Sequence, residues 1–147
     1  MLVLSVLLCG CETWKMTMGE EKKLDIFQTK SLRRIFYIRW QQHVANKEVL
    51  DMAGADPISK EVRRKRWCWI GLVLKKEVNS NCAVALGWKP EGKRSRGRPK
   101  TTWRHTVEKE RDRQGCNTWA RARQAANNCQ QWREDVWALF ASWHKEI

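Results

Sequence analysis

The sequence predicts a mainly α fold, with helical hairpins forming one or two small subdomains joined by a basic disordered linker. Three observations predict it. Apolar residues recur at steps of three and four along most of the chain. Thr, Asn and Ser stand where these runs begin, and glycines stand where several end. The one long stretch without apolar periodicity, residues 89–101, combines cations with Gly and Pro, a composition that buries too little surface to offset the cost of ordering. With 147 residues, 42% of them hydrophobic, the chain can fill a modest core, and wholesale disorder is excluded.

Residues 1–16 read as a truncated apolar N-terminal segment. Leu8-Cys9-Gly10-Cys11 mimics a lipoprotein cleavage box, but no cation precedes the apolar run, which is too short to span a bilayer. A core strand or helix whose partners lay upstream in a longer protein fits it better. Residues 17–88 read as a basic helical subdomain. Thr17 and Glu20 are spaced as a capping box, and Leu24, Phe27, Ser31, Ile35 and Ile38 then share one face, flanked by Lys22, Lys23, Lys30, Arg33 and Arg34. Asn46 is placed to cap a short helix through Val49, Leu50 and Ala53 that Gly54 ends in the left-handed conformation. Ser59 is placed to cap the next helix, which runs to about Lys75 with Val62, Trp69, Ile70, Val73 and Leu74 as its apolar stripe. The pair superficially resembles a helix-turn-helix, although a plain helical hairpin is the commoner arrangement. Residues 102–147 read as a Trp-rich helical subdomain. In it Thr102 caps a helix from Trp103 to Gln114 with Gly115 as its stop, and Thr118 caps another lined by Trp119, Ala122, Ala126 and Cys129. That helix continues or kinks into Trp132, Val136, Leu139, Phe140 and Trp143.

Charge is uneven. Residues 57–113 carry 17 Lys/Arg against 6 Asp/Glu, whereas residues 1–56 carry 8 against 7 and residues 114–147 carry 4 against 3, so the middle third holds +11 of the net +13. Two blocks supply it, Arg63-Arg64-Lys65-Arg66 followed by Trp67, and Lys93-Arg94-Ser95-Arg96-Gly97-Arg98-Pro99-Lys100. Guanidinium groups bind phosphates bidentately and an exposed indole stacks on an unpaired base. Arg63, Arg64, Lys65, Arg66 and Trp67 are therefore one candidate nucleic-acid-binding set, although Trp67 could equally wedge against a neighbouring helix. Lys93, Arg94, Arg96, Gly97, Arg98, Pro99 and Lys100 are the other, in an AT-hook-like linker over residues 89–101. There glycine lets the backbone lie deep, proline keeps it extended, and arginines reach along a narrow A·T minor groove; undirected phosphate contact and simple solubilisation remain open alternatives. Most of the ten tryptophans are expected to pack inside.

Six cysteines, Cys9, Cys11, Cys68, Cys82, Cys116 and Cys129, and the histidines His43, His105 and His144 raise the question of zinc. No C-x-x-C pair occurs. The thiols are expected to be isolated, reduced and partly buried, in an intracellular protein, nuclear or cytoplasmic, with neither metal nor cofactor. Asp25, Asp51, Asp56, Asp112 and Asp135 are single and dispersed, so no catalytic residue is assigned.

Several blocks taken together resemble the extreme C-terminal region of non-LTR (LINE-type) retrotransposon polyproteins, which carry an endonuclease and a reverse transcriptase. They are Leu7-Leu8-Cys9-Gly10-Cys11-Glu12-Thr13-Trp14, Leu24-Asp25-Ile26-Phe27-Gln28-Thr29-Lys30, Leu32-Arg33-Arg34-Ile35, Ile38-Arg39-Trp40, Arg66-Trp67-Cys68-Trp69-Ile70-Gly71 and Arg96-Gly97-Arg98-Pro99-Lys100-Thr101-Thr102-Trp103. Together they cover almost the whole chain. Cys9 stands where the family usually shows tyrosine and Leu72 where it shows histidine. The aspartate pair of the family's RNA-directed DNA polymerase and the carboxylate and histidine set of its endonuclease have no counterpart in this sequence. The resemblance implies a non-catalytic, nucleic-acid-binding C-terminal fragment of a retrotransposon-derived reverse transcriptase, a transposable-element product placed after the polymerase core. Its expected partners are RNA, DNA or both, and no membrane; the oligomeric state is open. The alternatives are a helical protein–protein interaction module, with tryptophan-rich helices as docking surface, and a non-functional gene-model fragment.

Overall fold

A computed structural model of the chain describes residues 2–88, 92, 97, 102–113, 116 and 118–142, with residues 2, 3 and 137–142 as backbone. These residues form eight α-helices and no strand: α1 (Leu2–Leu7), α2 (Met18–Ile35), α3 (Asn46–Ala53), α4 (Ile58–Lys75), α5 (Asn81–Gly87), α6 (Trp103–Arg113), α7 (Trp119–Asn127) and α8 (Cys129–Ser142). Short 3-10 turns occupy Cys11–Thr13 and Trp40–Gln42. The fold is mainly α. No helix among the described residues is long and apolar enough to cross a membrane.

Everything is arranged around α4. Its first half, through Ile58 and Val62, meets Leu8, Cys11 and Met16 in one buried cluster. Its second half, through Trp67, Ile70 and Leu74, meets Val107 of α6, Ala122 and Ala126 of α7, and Trp132 and Val136 of α8 in another. Segments on both sides of residues 89–101 thus share a core, and boundaries drawn at residues 16 and 101 would divide packed neighbours. Leu8, at the end of the apolar run whose partners were expected upstream, finds partners within the chain, and Cys11 is buried beside it, although Leu4 and Val6 are exposed.

Local signals hold at several ends. Thr17 and Glu20 form the capping box, and the Thr17 bonds hold the Glu20 carboxyl below the usual carboxylate range. Gly54 ends α3 at φ +56°. Thr102 Oγ1 accepts from the His105 N–H (3.3 Å) and Thr118 Oγ1 from the Arg121 N–H (3.3 Å). The kink allowed after α7 is a new helix start, where Asn128 Oδ1 accepts from the Gln131 N–H (3.2 Å) and Cys129 is exposed rather than on the α7 face. Helix α5 was not anticipated; Ser80 caps it, accepting from the Ala83 N–H. The Gln114-Gly115 stop and Trp143 lie outside the described residues.

Four expectations are corrected. The α2 face is only partly the apolar one: Leu24 packs against the first cluster, but Phe27 and Ile35 are 48% and 65% exposed, while Glu21, Gln28 and Thr29 are buried. The reason is what α4 needs. Its opening N–H groups have no intrahelical partner, and Ser59 does not cap it. Pro57 takes the N-cap position, and α2 supplies the acceptors, Gln28 Oε1 for the Ile58 N–H (2.9 Å) and Asp25 Oδ1 for the Ser59 N–H (3.0 Å). Gln28 Nε2 also donates to the Asp56 carbonyl (2.9 Å). Asn46 is the first residue of α3 rather than its cap, and its Oδ1 accepts from Arg33. On α4 the core stripe includes Trp67, fully buried, whereas Trp69 is half-buried and packs edge-on to Trp103 (6.4 Å, 79°).

Gly71 sits directly under Trp132, whose indole a Cβ at that position would strike, and Trp132 Nε1 donates to the Trp67 carbonyl (3.3 Å). Gly71→Ala should lower stability by about 1–3 kcal/mol through overpacking, read as a fall in the denaturation midpoint; an unchanged midpoint would contradict this packing.

Candidate nucleic-acid interface

The first basic block does not form a surface. Arg63 and Arg66 are buried, and Trp67 with them. Two guanidinium groups leave water only where carboxylates meet them. Arg63 donates from Nε to Glu21 Oε1 (3.0 Å) and from Nη2 to Glu21 Oε2. Arg66 Nη1 donates to Glu110 Oε1 (2.8 Å), its Nη2 donates to the Trp14 carbonyl (3.0 Å), and Trp67 Nε1 donates to Glu110 Oε2 (2.8 Å). Glu110 also lies 3.9 Å from Arg63 Nε. The result is a Glu21–Arg63–Glu110–Arg66 network with balanced charge. Arg64, half-buried, is held by Glu61 one turn earlier, and Lys65 has no ion pair among the described residues. The expectation that Arg63, Arg66 and Trp67 present an exposed basic and aromatic face is therefore corrected: their i, i+3, i+4 spacing turns them inward, onto α2 and α6. Glu21 and Glu110, the partners that decide this, carry no local sequence signal, being 42 and 44 residues from the arginines they meet.

Of the second block, Lys93, Arg94, Arg96, Arg98, Pro99 and Lys100 lie outside the described residues. Gly97 is exposed, at φ +145°, a conformation suited to glycine. Elsewhere His105, Lys109 and Arg113 recur every four residues along α6 and line a cleft of about 310 Å³ against Met16 and Met18, with Arg63, Glu21 and Glu110 also in its wall. A further group escaped the reading by thirds. Residues 26–47 contain Lys30, Arg33, Arg34, Arg39 and Lys47 and no Asp or Glu, and Tyr37 and Trp40 among them are 87% and 80% exposed. A shorter charge window over the first 56 residues would have found it.

Among the described residues no three His, Cys, Asp or Glu side chains come together as a metal site. Burial pushes the Cys11 thiol up, which suits an inert core residue. Cys129 differs: it is exposed at the start of α8, and the Lys75 ammonium, donating to its sulfur, holds the thiol below its ordinary value.

The blocks quoted for their resemblance meet one another in space. Trp103 Nε1 donates to the Glu12 carbonyl (2.8 Å), Arg66 reaches the Trp14 carbonyl, and Asp25 and Gln28 hold the start of α4. No protein-family model matches the chain, and no curated protein or solved structure matches it.

Glu110→Gln leaves Arg66 and Arg63 short of a buried counter-charge and should cost about 3–5 kcal/mol, measured by chemical denaturation. Cys129 should be alkylated at lower pH than in a Lys75→Met variant, because a depressed thiol is ionised over more of the neutral range; overlapping pH–rate profiles for the two proteins would refute the Lys75 effect.

Proposed function

We propose that the chain is a non-catalytic nucleic-acid-binding helical module, the C-terminal piece of a retrotransposon-derived reverse transcriptase, acting inside the cell on RNA or DNA. The observation that carries this reading is where the positive charge is left over. Arg63, Arg64 and Arg66 are each matched by a carboxylate on the protein itself. The densest excess in the sequence is then residues 89–100, with six Lys/Arg against Glu91 alone, +5 of the net +13. A linear polycation of this kind binds a sugar-phosphate strand by displacing its condensed counterions. The order and spacing of the blocks that resemble LINE-type C-terminal regions support the retrotransposon origin. A second reading, a protein-interaction module, is favoured by one observation, the outward-facing Ile26, Phe27 and Ile35 of α2. Exposed apolar residues are ordinary singly and mark an interface only where they join into one patch.

Fluorescence anisotropy with labelled single-stranded RNA and an A·T-rich duplex at two salt concentrations separates the readings. With roughly four to six phosphate contacts, affinity should fall by about 0.7–0.9 log units per contact for each tenfold rise in salt. Replacing Arg94, Arg96 and Arg98 together by alanine should lower that slope by about 2, whereas Arg64→Ala should barely move it. A folded protein that binds no strand at low salt leaves the interaction module as the reading.

A further inference from the structure

The segment between α2 and α3 is the most conspicuous surface that nothing above explains. Helix α2 ends at Ile35, and Tyr37 follows at φ +54°, with His43 at φ +48° on the far side of the Trp40–Gln42 turn. Positive φ is unusual for non-glycine residues, and for a bulky aromatic it is an outlier costing of order 1–3 kcal/mol. The segment is held in this form at many points. The Tyr37 and Ile38 N–H groups donate to the Arg34 and Arg33 carbonyls (3.3 and 2.9 Å), and the His43 N–H donates to the Trp40 carbonyl (3.3 Å). Gln42 Oε1 accepts from the Arg39 N–H (2.9 Å). Arg33 closes the loop, donating from Nη2 to the Val44 carbonyl (2.6 Å) and to Asn46 Oδ1 (2.9 Å). An ordered loop thus carries two large rings into solvent at an energetic cost, while Phe36 and Ile38 on either side of Tyr37 are half-buried.

The chemistry around the rings is one-sided. Lys30, Arg34 and Arg39 are exposed, and from residue 26 to residue 47 the sequence contains no carboxylate side chain. Apolar protein partners are served by rings with neutral or mixed neighbours. Rings interleaved with unopposed cations match a strand whose bases are free to stack and whose phosphates need neutralising. A duplex offers no such bases, because they are already stacked on each other.

We propose that Tyr37 and Trp40, with Arg34 and Arg39, form a stacking platform for two unpaired bases of single-stranded nucleic acid. The inference rests on the nucleic-acid reading and deepens it by naming the form of strand. Arg34 and Arg39 take the flanking phosphates, and the two indole and phenol faces take bases of any identity, so the platform selects single strands over duplex without reading sequence.

The test uses the full chain in anisotropy titrations with a short single-stranded RNA, the same sequence as DNA, and a blunt duplex, at moderate salt where the phosphate contribution is reduced. The variant Tyr37→Asn with Trp40→Gln keeps a residue at position 37 that tolerates the left-handed backbone, and circular dichroism checks its fold. Removing two stacking contacts should weaken single-strand binding by about tenfold or more while duplex binding stays within about twofold. Trp40→Phe, which keeps a ring, should retain most of the single-strand affinity. Unchanged single-strand binding by the double variant overturns the platform and leaves the nucleic-acid reading standing. An equal loss for strand and duplex also overturns it, since the bases of a duplex are not available to the rings and removing them should leave duplex binding unchanged. Failure of the unaltered protein to bind any strand removes both.

Discussion

Moving a guanidinium group out of water costs several kcal/mol unless a carboxylate with good geometry meets it, and helix α4 buries two. That requirement shapes the rest of the molecule. Glu21 must come from α2 and Glu110 from α6, so both helices are fixed against α4 at the level of Arg63 and Arg66. Trp67 Nε1 shares Glu110 with Arg66, and Arg66 also takes the Trp14 carbonyl, which ties the turn at Cys11–Thr13 to the same point. The network adds little net stability over a well-packed apolar core. Its effect is positional: sliding either helix by one residue would strand a buried charge, which apolar contacts alone would tolerate.

The same logic accounts for the polar side of α2. An amphipathic helix ordinarily buries its apolar stripe, yet here Asp25 and Gln28 face α4 and Phe27 faces solvent. A helix start preceded by proline, without a side-chain cap of its own, needs outside acceptors, and α2 provides them. Ile26, Phe27 and Ile35 are displaced to the surface as a consequence, while Leu24 still packs against the core. Blocks that look like recognition text, rich in Arg and Trp, turn out to be occupied with one another: Trp103 with the Glu12 carbonyl and Trp69, Trp132 with Gly71 and Trp67.

How much of this was legible follows from the range of each interaction. Thr17 with Glu20, Thr102, Thr118 and Gly54 act within one helical turn, and their residue types announce the helix ends. The helical class and most helix positions are readable on that basis. The inward turn of Arg63 and Arg66 was not, because an arginine row followed by tryptophan has the same sequence whether it faces phosphate or a distant glutamate. The decisive partners, Glu21 and Glu110, lie more than 40 residues away. Charge averaged over thirds hid the acid-free stretch between residues 26 and 47, whose cations are offset in the count by Glu12, Glu20, Glu21, Asp25, Glu48, Asp51 and Asp56 on either side. Backbone strain at Tyr37 is invisible in a sequence, since nothing in an isolated tyrosine signals positive φ.

On the proposed reading, the internal neutralisation of Arg63 and Arg66 would separate two tasks that a basic patch would combine. The folded body keeps its shape through buried ion pairs, which salt screens much less than exposed ones. On the proposed reading, contacts to a strand would fall to the cations of residues 89–100 and to Tyr37, Trp40, Arg34 and Arg39. Those contacts differ in kind: phosphate contacts weaken as salt rises, whereas stacking on Tyr37 and Trp40 depends on bases being unpaired. With both present, the linker would supply reach and affinity for any nucleic acid, and the α2–α3 loop would add preference for strands that are open. The internal pairing of Arg63 and Arg66 would make such a division possible, since two free arginines on α4 would bind phosphate wherever it was presented and blur the distinction.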